Sequence, residues 1–399
     1  MSAKPSSASA AREARARGLR TWIEIDSRAA RENCRAFRRS AGPDVKLWSV
    51  VKSNAYGHGL FAFSKIVAGE VDGFCVDSEV EGAALRRAGI RAPILTLGPT
   101  LSGRYADAAE RGIAVTVSSF EALAALGRAK AAPAFHIKID TGMHRQGFYP
   151  EDLRRVLKAL AARPALRPKL KGIYTHFAAA KDPAHAAQTE KQLRAFAGAA
   201  GLFKEAGFKD LVRHASATGG TLLGKKYHLD AVRIGIGLYG YWPSDPLRRR
   251  FARALALRPV LSWRAFVSET KSLRAGDRVG YDLAGRAAAR TDMAILPVGY
   301  WHGLPRALSG DMGAGEAVIG GKRARILGRV CMDISMVAAP RGAAGMAGAT
   351  APIRVGSIAT LVGSAGGCAI WAEEQARKAG TTHYEFLTRL NPLMERIVV

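Results

Sequence analysis

Residues 45–88 read VKLWSVVKSNAYGHGLFAFSKIVAGEVDGFCVDSEVEGAALRRA, and their pattern decides the fold. An apolar run at 45–51 leads into an amphipathic stretch at 60–68, and a second run at 73–76 leads into another at 79–88. Short apolar runs without polar alternation predict strands buried on both faces, and the stretches between them predict helices. Working outward, the same unit recurs with apolar runs at 93–97, 113–117, 135–139, 172–175, 211–214 and 231–235, and helical segments such as 120–130, 151–162 and 188–207. Eight such strands alternating with helices predict an α/β architecture, a (β/α)8 TIM-type barrel spanning 21–255. Such barrels build their sites at the carboxyl ends of the strands, and Lys52, Lys138, His176 and Arg233 all fall at or near those ends.

Beyond residue 255 the helices drop out. Strand-like runs at 263–273, 293–298, 317–319, 325–337 and 357–362 follow one another across turn signals, with one late helix at 371–378. Residues 256–399 therefore read as a mostly antiparallel β domain, to which a strand at 21–26 can add. The Ala/Gly-rich stretch 340–350 reads as a surface loop. Residues 1–20, basic with Glu13 as their one acid, read as a disordered tail; they lack the apolar centre of a secretory signal, and the same composition suits a transit peptide.

The 399 residues leave room for about two or three domains. A hydrophobic fraction of 48% excludes a disordered chain, and no apolar run is long enough to span a bilayer. Sixty Lys and Arg against 33 Asp and Glu give a net charge of +27, which raises binding to nucleic acid or an anionic surface. The arginines are spread along the chain rather than gathered in one arm, so no specific nucleic-acid partner and no membrane are expected. The four cysteines lie far apart without a Cys-x-x-Cys pair, which argues against a zinc site or a disulfide framework and fits a cytoplasmic, reducing setting.

The chemistry concentrates in separate motifs. In VVKSNAYGHG (50–59) a lysine closes a buried strand, where it can form an imine while Tyr56 holds an anion; a strand-end lysine can equally snorkel to the surface. In HIKIDTGMHRQG (136–147), Lys138 beside Asp140 reads by itself as an ion pair, and in GIYTHFA (172–178) a lone His176 reads as a core histidine. DAVRIGIGLYG (230–240) places a buried arginine before two glycines that let backbone N–H groups approach a phosphate.

Together with HASATGG (214–220), RVGYDLAG (278–285), GYWHGLPR (299–306) and GRVCMD (328–333), these motifs resemble, in order and wording, the pyridoxal-phosphate-dependent alanine racemases over about residues 21–399. That fold group joins a (β/α)8 barrel to a β domain. The resemblance implies that Lys52 is the Schiff-base lysine and one of two proton-transfer bases, and that Tyr56 binds the phosphate of pyridoxal 5′-phosphate. It implies that Thr218, Gly235 and Ile236 complete the phosphate site and that Arg233 donates to the pyridine nitrogen. By the same carry-over, His176 links Arg233 to the second base, Tyr281, which enters from the partner of a homodimer. Arg145 and the Met332 backbone N–H face the substrate carboxylate, Tyr300 gates the entrance, and Lys138 matches a lysine often carbamylated in the family. The implied reaction is interconversion of L- and D-alanine, a small amino-acid substrate, in supply of D-alanine for cell-wall peptidoglycan.

Several positions depart from the family pattern: Asp282 where glycine is usual, Trp301 and His302 in the tyrosine gate, Lys181 where an aspartate partner of Arg329 is usual, Ala217 for asparagine, and Pro392 where some members carry a tyrosine. They cluster at the entrance and substrate pocket, so a racemase of serine or basic amino acids is the alternative within the reaction. A decarboxylase or aldolase of the same fold group would need a protonated pyridine nitrogen, which Arg233 opposes. A non-catalytic protein binding pyridoxal phosphate or nucleic acid is the alternative from another class.

Overall fold

The computed structural model describes residues 7–312, 315–339 and 353–399. The stretch 340–350, read above as a loop, lies outside the described residues, as do residues 1–6. By internal contacts the chain forms two units: one gathers the chain up to Ser27, Tyr56–Ala62 and Pro259–Val399, the other Arg28–Ala55 and Phe63–Arg258.

The second of these is the expected barrel. After β1 (Thr21–Ile25), strands β2 (Lys46–Val50), β3 (Gly73–Val76), β4 (Ile94–Pro99), β5 (Ile113–Val117), β6 (Phe135–Lys138), β7 (Leu170–Tyr174), β8 (Val212–His214) and β9 (Ala231–Ile234) follow in chain order. Strands β2 to β9 pair in parallel and close, with β9 returning to β2. All four residues of β3, β6 and β9 are buried, as strands covered by helices outside and side chains inside must be. The helices start where the sequence supplies caps. Ser78 accepts from the Glu81 N–H before Glu79–Arg87, and Ser119 accepts from the Ala122 N–H before Phe120–Arg128.

The other unit is built on a mostly antiparallel sheet. β1 pairs antiparallel with Leu261–Phe266 and parallel with Arg396–Val398, so the first strand and the last join the same sheet. Its core holds an ion pair, Glu24 Oε2 to Arg264 Nε at 3.1 Å, with side chains 3% and 7% exposed. The Trp22 indole N–H and the Ser7 hydroxyl also donate to Glu24. The tail expected to be disordered is helical over Ser7–Ala16. Ala10 and Ala14, one turn apart, bury a small-residue face against Trp22 and Ile397, and Arg17 pairs with Glu13 and Glu395. Alanine-rich composition favours a helix once such a docking face exists.

Candidate active site

Directly after β2 the chain makes a left-handed turn: Ser53, Asn54, Ala55 and Tyr56 have φ of 56°, 55°, 52° and 52°. This region costs an L-residue roughly 1–2 kcal/mol, so four in succession must be held by their surroundings. The Ser53 N–H donates to Glu81 Oε1 at 2.8 Å, and the Ala55 N–H donates to the Val51 carbonyl at 2.8 Å. At Gly57, φ is 83° and a Cβ would sit 2.0 Å from the Leu387 carbonyl oxygen, so only glycine lets the two backbones meet. Lys52 opens this turn with its side chain 38% exposed and Nζ 3.6 Å from Asp77 Oδ1.

Lys138, at the end of β6, is buried and donates to Gln146 Oε1 at 2.9 Å. Burial, then the positive charges of Arg145 and Arg233, pull its amine down to about 8. The ion pair with Asp140 does not form. Asp140 Oδ1 accepts the N–H groups of Gly142, Met143 and His144, and Oδ2 accepts that of Arg145. Burial raises the Asp140 carboxyl, but these four donors outweigh it and hold it below the ordinary carboxylate value. The carboxylate thus shapes the loop that carries the exposed Arg145.

Arg233, in β9, is 2% exposed. Its NH2 donates to the carbonyls of Thr175 at 2.8 Å and Ala215 at 2.9 Å and lies 3.4 Å from His176 Nδ1; its NH1 lies 2.5 Å from His214 Nδ1. The guanidinium carbon sits 5.0 Å above the Tyr174 ring, and the Lys138 amine sits 5.6 Å from the same ring. Burial and the charge of Arg233 push His176 well below its ordinary value, so it is neutral. Arg145, Lys138 and Lys52 also act on His176, which places these cations around it at the barrel mouth. Sequence reading missed His214 and His136. Both stand inside quoted motifs, and the two-residue period of β6 puts His136 on the same face as Lys138.

Below Arg233, the Gly237 N–H donates to Thr218 Oγ1 at 3.3 Å. A Cβ on Gly237 would meet the Phe37 ring at 2.5 Å and Thr218 Cγ2 at 2.8 Å, so glycine is what brings these segments together. Gly235, which has no side chain to cap it, precedes the 3-10 turn Ile236–Tyr239, whose first-turn N–H groups lack intrahelical acceptors. The donors assembled here are a permanently charged guanidinium, two amines, a hydroxyl and backbone N–H groups. Arg233 is buried among neutral acceptors, and its hydrogen-bond partners among the described residues are carbonyls and imidazoles, not carboxylates. A guanidinium carries five N–H donors and no acceptor, so one held this way can also donate to a neutral acceptor such as a pyridine nitrogen. The donor set fits a phosphorylated pyridine.

The β unit holds the remaining candidates. The Tyr300 and Trp301 N–H groups donate to the carbonyls of Cys331 and Met332, both at 3.0 Å, which fastens the gate segment to GRVCMD. Arg329 lies 2.9 Å from Asp311 and 3.5 Å from Asp282, which ties the Tyr281 loop to the same place. Tyr281, Met332 and Tyr300 are 71%, 55% and 44% exposed. Asp282 takes φ 59°, a left-handed position that glycine usually serves and aspartate tolerates. Arg329 therefore has acids within its own unit. Asp182, the other acid near Lys181, caps a local turn and pairs with His185 at 3.1 Å. Tyr56 belongs to this unit, its ring 6.3 Å from that of Tyr384, whose phenol burial pushes up. A separate cavity of about 660 Å³ lies between the helix Ala186–Glu205 and strands β7 and β8; none of the candidate site residues lines it.

A (β/α)8 barrel with a donor-rich mouth, joined in one chain to a β unit presenting tyrosines, defines the class. The models for the N-terminal and C-terminal domains of alanine racemase match residues 25–243 and 260–398. An alanine racemase of Leptospira interrogans is 34% identical over 386 residues, covering 95% of this chain and 96% of its own. One of Symbiobacterium thermophilum is 36% identical over 387 residues, covering 95% and 97%. The crystal structure of alanine racemase from Bacillus anthracis with bound L-Ala-P superposes with a TM-score of 0.86 at 32% identity, covering 95% of each chain. That from the D-cycloserine-producing Streptomyces lavendulae gives 0.84 at 32%, covering 95% and 97%. The chain belongs to the alanine racemase family.

Proposed function

We propose that the protein is a pyridoxal 5′-phosphate-dependent racemase that interconverts L- and D-alanine, acting as a cytoplasmic homodimer and supplying D-alanine for cell-wall peptidoglycan. The observation that carries this reading is the buried Arg233, bonded among the described residues to carbonyls and imidazoles and not to a carboxylate, set among Lys52, Lys138, His176 and the Thr218–Gly235–Ile236 donors. Pyridoxal phosphate bound there supplies an electron-withdrawing ring that acidifies the substrate α-proton. Tyr56, Thr218 and the Gly235 and Ile236 N–H groups hold its phosphate. Arg233 donates to the ring nitrogen and keeps its own proton, which tempers electron withdrawal and discourages side reactions. Lys52 Nζ takes or returns the proton on one face of the α-carbon, and the Tyr281 hydroxyl of a second copy serves the other. Arg145 and the Met332 N–H orient the substrate carboxylate, and Tyr300 narrows the entrance. Exposure of Tyr281, Tyr300 and Met332 supports an assembly in which a second copy covers them. The lowered Lys138 amine supports carbamylation: its neutral nitrogen bonds to the carbon of CO2 and releases a proton to solvent. No helix among the described residues is long and apolar enough to cross a membrane.

The test is incubation of cofactor-supplemented protein with single L-amino acids, the products being resolved by chiral chromatography. D-alanine formed fastest supports the reading. Faster turnover of serine or a basic amino acid moves the substrate and keeps the chemistry, and no racemisation of any amino acid overturns it.

A further inference from the structure

We propose that His136 is a positioning residue for Arg233, acting through His214, whose Nε2–H it accepts. The proposal rests on the function above for its catalytic consequence and on geometry alone for the relay itself. A guanidinium only donates, so at 2.5 Å from Arg233 NH1 the Nδ1 atom of His214 must accept. A neutral imidazole that accepts at Nδ1 carries its hydrogen on Nε2, and His214 Nε2 lies 2.8 Å from His136 Nδ1. His136 therefore accepts in turn and carries its own hydrogen on Nε2. The relay is directional: Arg233 donates to His214, and His214 donates to His136.

Both rings are neutral. Burial, followed by the charge of Arg233, pulls His136 down to about 3 and His214 well below its ordinary value. The charged groups acting on His136 are Arg233 and Lys46, and the one acting on His214 is Arg233.

The barrel is shaped to hold these rings. His136 pairs in register with Gly172 of β7, where a Cβ would lie 2.5 Å from His136 Nδ1 and 2.5 Å from the Val212 carbonyl oxygen. Glycine there clears the space the imidazole fills. His214 stacks on Tyr174 at 4.7 Å and 7°, and Trp48 meets His214 and His136 edge-on at 4.9 and 5.7 Å. The Tyr174 hydroxyl is fixed by Thr116 at 2.8 Å. With the ring planes set, the remaining freedom of His214 is which nitrogen bears the hydrogen. Were it Nδ1, two N–H groups would face each other and Arg233 would lose its NH1 acceptor. The carbonyls of Thr175 and Ala215 take NH2, and among the described residues the hydrogen bonds of Arg233 use NH1 and NH2, which leaves Nε as the edge to meet a ring nitrogen. His136 thus holds the far end of the set of contacts that aims that edge.

The experiment compares the wild-type holoenzyme with His136→Asn, which keeps an acceptor near the place of Nδ1, and His136→Leu, which removes it. Imidazole tautomers are read by NMR on 15N-histidine-labelled protein, and alanine racemisation is read as kcat and KM separately. The expected result is a neutral His214 protonated on Nε2 in the wild type and in His136→Asn, with kcat of the latter within about 3-fold of wild type. In His136→Leu, Arg233 still keeps the hydrogen on His214 Nε2, but that buried N–H loses its acceptor: its 15N–1H signal shifts from the wild-type position, and kcat falls ~10- to 100-fold while KM moves less than about 2-fold, as for a misaimed group. A wild-type His214 protonated on Nδ1 overturns the proposal, and so do Asn and Leu variants with equal kcat. If neither variant folds, the wild-type tautomer decides. If the wild type racemises nothing, the proposed function falls while the tautomer still decides the relay.

Discussion

In the barrel, Arg233, His136, His214, Tyr174 and Lys138 are each at most 5% exposed and are locked to one another by hydrogen bonds and ring contacts. On the β unit, Tyr281 is 71% exposed, Met332 55% and Tyr300 44%, and the hydrogen bonds that hold them among the described residues run through their backbones. The first set has its electrostatics fixed by its own core, which is preorganisation. The second set offers functional groups to surroundings that its own unit does not supply. On the proposed function a second copy completes the exposed half, which is what a shared dimer interface provides.

The sharpest contrast between the halves is chemical. Lys52→Ala is expected to lower racemisation by ~10⁴-fold or more and to abolish the visible absorbance of cofactor joined to the lysine, since the proposed function makes Lys52 both a base and the covalent anchor. Tyr281→Phe is expected to cost ~10²- to 10⁴-fold in kcat, the range of one general acid–base group, with cofactor absorbance retained. Because that hydroxyl is exposed, unfolding by urea should stay within about 0.5 kcal/mol of wild type.

Exposure of its loops does not make the β unit soft. Arg264→Met strands the Glu24 carboxylate in the core and should destabilise by about 3–5 kcal/mol in a urea titration, without altering the cofactor spectrum of folded protein. Lys138 probes the barrel side. Its folded-state amine, at about 8, lies below the ordinary 10.5, so between these values the unfolded chain binds the extra proton. In CO2-free buffer, wild-type stability should therefore rise with pH across that interval, and Lys138→Met should lack the rise. The smallest effect belongs to Asp282→Gly. Relief of a left-handed aspartate and loss of a 3.5 Å pair whose acid is 68% exposed nearly cancel, so stability should move by less than about 0.5 kcal/mol. Any change in relative rates among amino acids would then report on the entrance itself.

Most of the barrel was legible because doubly buried strands leave unbroken apolar runs between helical segments. The candidate residues stood out as motifs, and their partners in the fold did not. Nothing in HIKIDTG shows that Lys138 turns to Gln146 while Asp140 gathers four backbone N–H groups; that depends on a loop conformation. The left-handed turn at Ser53–Tyr56 breaks the usual conformational preference of L-residues, so propensity could not find it. The helix at Ser7–Ala16 forms because Trp22 and Ile397 offer a surface, one of them near the far end of the chain. Acids close to Arg329 were present in the sequence as Asp282 and Asp311, but their meeting needs the tertiary fold.

Subunit complementation tests the central claim most directly. Lys52→Ala and Tyr281→Phe proteins, each inactive alone, are mixed, dissociated and reassociated, and alanine racemisation is measured. If Lys52 and Tyr281 act from different copies, a mixed dimer regains one intact site, and random pairing restores about a quarter of wild-type activity. No recovery, with mixed dimers demonstrated, would contradict the account and place both groups in the same chain's site.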